Sequence, residues 1–163
     1  MSEGLQTRPE LGVSGQDRAV IFIFFAVGAL GAHFVGLSLP QLLPLRMLYS
    51  GAMLIVALLA VSILGAYTIP VFALAMGALI ERSAVLWLSA WQSRGTPPLR
   101  EALCALVLVP CFFLASTHAM AASSSILMAV GQGSATARTA FCQELAIAVF
   151  FTVLGLAAVF YFY

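Results

Sequence analysis

The sequence predicts an all-α integral membrane protein, a bundle of about five transmembrane helices. Three observations carry this. Of 163 residues, 63% are hydrophobic and only 8% are charged. The mean hydropathy is +1.08. The apolar residues also fall into runs near the length a helix needs to cross a bilayer, about 20 residues. A soluble domain carries roughly a quarter charged residues, and seven basic and six acidic side chains cannot keep a fold of this size in solution. All seven basic residues are arginine and the net charge is +1. There is no basic face for nucleic acid and no polybasic patch for anionic lipid.

The elements follow in order. Residues 1–18 are polar and Gly-containing, and read as a cytoplasmic tail ahead of an uncleaved first span rather than a secretory signal. The membrane domain, 19–163, holds apolar runs at 19–39, 47–66, 68–92, 102–130 and 141–163. Arg18 marks the near edge of the first run, and Pro40 and Pro44 its far end, because proline cannot continue a helix. Gly65 and Pro70 frame a hinge before the third run, which is therefore expected to be irregular or partly re-entrant. Trp87 and Trp91 suit an interfacial belt. Pro110 should kink the fourth run, and the fifth ends on aromatic residues.

With five crossings from a cytoplasmic N-terminus, Arg8, Arg18 and Arg138 lie inside and Arg46, Arg94 and Arg100 outside. A re-entrant third run improves that balance by one arginine. Re-entrant backbone must be buried in protein, however, and a short chain has little to offer. The expectation is a multi-pass protein of the cell membrane, N-terminus in the cytoplasm, with five helices.

Ionisable groups at membrane depth cost about 2.5–3.5 kcal/mol on insertion scales and usually face a partner or a cavity. His33, Glu81, Arg82, His118 and Glu144 are the candidates for an intramembrane polar site or partner site. Glu81 or Glu144 would pair with Arg82 or a histidine. The bland reading is structural: a local ion pair for Glu81-Arg82 and interhelical hydrogen bonds for the histidines. Small residues, among them Gly28, Gly31, Gly77 and Ser123, suit close helix packing, within this chain or against a partner's membrane helix. Cys104, Cys111 and Cys142 lie in apolar stretches without metal-ligand or disulfide spacing, and read as small hydrophobes.

No metal site or cofactor is expected, nor an enzyme. The sequence has no His-Glu-x-x-His, no P-loop and no Asp after Asp17. His118 and Ser125 share one helix face two turns apart, about 10 Å along the axis, too far to act as base and nucleophile. A small transporter or channel subunit is one functional reading, with a midplane polar path through His33, Glu81 and His118. Against it, two matched halves of the kind seen in transporters are not visible.

Three stretches carry a family resemblance: VGALGAHFVG in the first run, the hinge-bearing LLAVSILGAYTIPVFALAMGALIERSAVLWL, and ALVLVPCFFLASTHAMAASSSILMA with its proline and hydroxyl cluster. Over residues 19–163 the chain resembles the stage II sporulation protein M family, small membrane proteins of endospore-forming bacteria. Its first extracytoplasmic loop, around Pro40–Arg46, is shorter than the family's usual one. The resemblance implies a non-enzymatic membrane scaffold that recruits or anchors cell-wall hydrolases in a peptidoglycan-remodelling complex during engulfment. Its partners would be those hydrolases and the lipid bilayer. Self-association into a homo-oligomer is compatible with so small a chain.

Overall fold

The computed structural model describes residues 15–35, 51, 53, 57, 68–95, 99–133 and 135–162. Within them lie four long helices: α1 (Gly15–Val35), α2 (Ile69–Arg94), α3 (Leu99–Gln132) and α4 (Ala135–Phe162). All four are long and apolar enough to cross a membrane. At 1.5 Å per residue the shortest spans about 31 Å, close to the hydrocarbon thickness of a bilayer. The architecture is that of a multi-pass helical membrane protein.

The helix ends have local causes. Helix α1 begins at Gly15, so Asp17 falls in its first turn, where a carboxylate complements the helix dipole. The first helix thus starts within the stretch read as tail. Helices α2 and α3 each stop at a glycine of left-handed conformation, Gly95 (φ 70°) and Gly133 (φ 63°). Their N–H groups bond the carbonyls of Trp91 (2.8 Å) and Ala129 (3.1 Å). Only glycine adopts that φ without strain.

The third apolar run departs from expectation. It is one continuous helix of 26 residues rather than an irregular or re-entrant element. Pro70 sits in its first turn, where the missing N–H has no helical partner to lose. Gly65, the other half of the expected hinge, and most of the second run lie outside the described residues. Pro110 is inside α3, which continues through it to Gln132. It leaves the Leu106 carbonyl without its intrahelical donor.

The helices pack as two pairs, α1 with α2 and α3 with α4. The first pair is parallel. Phe25 and Ala29 face Gly77, Ala32 faces Arg82 and His33 faces Glu81, so residue numbers rise together along both helices. The second pair is a hairpin closed at Gly133 and is therefore antiparallel. Phe113 of α3 joins the pairs, its ring 5.0 Å from Phe25 and 6.2 Å from Phe22. Ile21, Ile69, Ala73, Met76, Cys104, Leu108, Phe112 and Ala119 form the buried centre.

Candidate functional site: two histidine–carboxylate pairs

Helix α1 meets α2 at glycine. A Cβ added to Gly28 would lie 2.0 Å from the Leu74 carbonyl oxygen, and one on Gly77 would lie 2.0 Å from that of Phe25. No other residue admits so close an approach of backbones, which is how helices associate where lipid removes the hydrophobic drive. Gly31 differs: among the described residues, nothing lies within 4 Å of its Cβ position. Ser123 is buried on α3.

The close crossing sets the register of the first polar group. His33 Nδ1 lies 3.1 Å from Glu81 Oε1. Glu81 Oε2 lies 3.4 Å from Arg82 Nε, an ion pair without hydrogen-bond geometry, and both atoms are buried without a hydrogen-bond partner among the described residues. The Arg82 Nη2 group instead donates to the Ala32 carbonyl in the last turn of α1. Carbonyls of a last turn have no intrahelical donor, and a cation there also suits the dipole. Glu81 and Arg82 are largely buried, whereas the His33 side chain is 68% exposed. The carboxylate therefore holds the histidine from behind, and the rest of the ring faces away from the bundle.

The second pair is more enclosed. His118 Nδ1 of α3 lies 2.6 Å from Glu144 Oε2 of α4, and the two side chains are 19% and 16% exposed. Phe151 stacks on the imidazole at 6.4 Å. His118 sits on a stripe with Cys111, Ala115, Ala122, Ser125 and Ala129, all buried. Spacings of four and three residues keep these on one face, and their small side chains let α4 come close. Most hydroxyls here turn back on their own helix: Thr117 to the Leu114 carbonyl, Ser124 to Ala121 and Thr152 to Ala148. Ser116 Oγ is buried without a partner among the described residues.

All five predicted polar residues are thus engaged, but in two separate groups. Among the described residues, no hydrogen bond or ion pair joins His33–Glu81–Arg82 to His118–Glu144. Among the described residues, no group of three His, Cys, Asp or Glu side chains is placed to hold a metal ion. Cys104 and Cys111 are buried, while Cys142 is exposed on α4, contrary to its expected role as a buried hydrophobe.

Sequence reasoning did not find the parallel register of α1 and α2 or the bond from Arg82 to α1. A signal was present. Gly-Ala-Leu occurs at 28–30 and again at 77–79, with the polar residues His33 and Glu81 following each. These repeats sit at the crossing. No protein-family model, curated protein or solved structure matches the chain.

Proposed function

We propose that this chain is a non-enzymatic, polytopic membrane scaffold that holds extracytoplasmic peptidoglycan hydrolases, in the manner of the family it resembles. The observation that carries the scaffold reading is the use of its intramembrane ionisable groups. His33, Glu81, Arg82, His118 and Glu144 each tie one helix to another, or to a neighbour that does. Polar groups spent in this way hold a bundle in shape and leave little to line a path or attack a substrate.

The same reading gives five crossings. Parallel α1 and α2 place Val35 and Ile69 at opposite ends of the pair. In the stretch between them Gly51, Met53 and Ala57 are helical, and a Cβ on Gly51 would lie 3.4 Å from Leu108 and 3.5 Å from Met76. An odd number of crossings puts the N-terminal tail and Tyr163 on opposite sides, with the turn around Gly95 facing outward.

Two measurements test this. An affinity-tagged chain purified from native membranes should co-purify peptidoglycan-hydrolysing activity, read on purified cell wall; wall turnover no greater than in an untagged control sinks the proposal. For the topology, Ser2→Cys and Tyr163→Cys, each in a background lacking the native cysteines, should differ in labelling by an impermeant maleimide from outside. Equal labelling of both rules out an odd number of crossings.

A further inference from the structure

We propose that the chain up to the end of α3 is a tandem duplication of a two-helix unit, and that the Gly28 face of α1 and the Gly77 face of α2 are two copies of one self-complementary surface. The partner each face fits is a copy of itself, and the chain fuses the two. The duplication stands whether or not the chain holds hydrolases.

The sequence repeats at a fixed offset. Ala26-Val27-Gly28-Ala29-Leu30 of α1 returns 49 residues on as Ala75-Met76-Gly77-Ala78-Leu79 of α2, with four of the five residues identical. The same offset takes His33 to Arg82, a second nitrogen donor, and Ala32 to Glu81. Pro-Leu-Arg occurs at 44–46, ahead of the apolar run 47–66, and again at 98–100, ahead of the run 102–130. Each unit therefore reads as a helix, a Pro-Leu-Arg sequence and a second apolar run.

The contacts obey that offset. In an isologous interface every contact has a mate in which the two partners exchange roles. A Cβ on Gly28 would meet the Leu74 carbonyl, and one on Gly77 would meet the Phe25 carbonyl. Moving both residues of the first contact to their equivalents gives the second. The polar tie behaves in the same way: His33 Nδ1 lies 3.1 Å from Glu81, and its mate is the bond from Arg82 to the Ala32 carbonyl. A close crossing of parallel helices does not by itself demand that the register of the contacts equal the offset of a sequence repeat. Here the two coincide. Both helices are long enough to span and run parallel, so the two-fold axis lies along the membrane normal, as in membrane proteins built from parallel repeats.

Symmetry is broken at one position. Where α2 carries the Glu81 carboxylate, α1 carries Ala32, so Arg82 meets only a backbone carbonyl across the interface. The two-fold relation makes position 32 a place from which a carboxylate would face Arg82 as Glu81 faces His33. Helix α4 packs on α3 alone among the described helices, as an addition to the second unit.

The test measures unfolding of the full chain in phosphatidylcholine bilayers by steric trapping. Glu81→Ala with Arg82→His makes α2 match α1 at these positions and adds no bulk. This variant should unfold about 3- to 18-fold more readily than the unmodified chain, the range that interhelical hydrogen bonds give in membranes. Adding Ala32→Glu and His33→Arg exchanges the two dipeptides between the helices, and should bring unfolding back to within about threefold of the unmodified chain. Ala32→Asp in place of Ala32→Glu brings less bulk and should restore part of the loss. Exchanged chains that are no more stable than the Glu81→Ala, Arg82→His chain, with either carboxylate, overturn the proposal. So does an equal recovery with Gly31→Glu in place of Ala32→Glu, since position 31 lies outside the two-fold relation.

Discussion

Helices α1 and α2 run parallel and meet where Gly28 and Gly77 press on each other's backbones. Helices α3 and α4 form an antiparallel hairpin whose facing stripe on α3 is alanine, serine and cysteine around His118. Both pairs are tied by a histidine on the earlier helix and a glutamate on the later one. In the second pair the tie is short and covered by Phe151. In the first it is longer, backed by Arg82, and leaves the imidazole facing outward. One residue pairing thus takes two forms: an internal pin where both partners are enclosed, and an outward-facing polar group where only the carboxylate is.

Substitutions separate the two forms. The largest effect is expected from Gly77→Leu, whose Cβ meets the Phe25 carbonyl and cannot be relieved by a side-chain shift. Loss of at least about 3 kcal/mol is expected, read as unfolding of the first pair by steric trapping in bilayers. Next comes His118→Leu, which strands the Glu144 carboxylate in a mostly enclosed place. Its cost should be about 2 kcal/mol, between the values for buried ion pairs in water-soluble proteins and for interhelical hydrogen bonds in membranes. His33→Leu should cost less than about 1 kcal/mol, because Arg82 stays beside Glu81 and the histidine is mostly exposed. A larger loss than that of His118→Leu would reverse the assigned roles. Gly31→Leu should be the mildest, within about 1 kcal/mol and in the stabilising direction, as the helix gains a better former in open space.

The membrane class was legible from composition, because so few charges cannot solvate a surface of this size. The positions of the polar residues were legible too, since each interrupts or borders an apolar run. Their partners were less so. Glu81 had a neighbour in Arg82 and two histidines to choose from, and the choice depends on whether α1 and α2 run parallel, a matter of chain connectivity. Pro70 misled for a related reason. A proline five residues after a glycine reads as a break, yet at a first turn it is compatible with an uninterrupted helix. Gly28 and Gly31 look alike in sequence. One lies at the crossing and the other faces open space, because three residues of helix turn them about 60° apart.

We propose that the intramembrane ionisable groups act as ties rather than as working chemistry. The double substitution His118→Leu with Glu144→Leu tests it most directly, since both charges vanish and neither partner is stranded. If the pair is a pin, the double variant should be more stable than His118→Leu alone and should co-purify hydrolase activity at the unmodified level. A bundle that stays folded and loses that activity would show that the pair does more than pin α3 to α4.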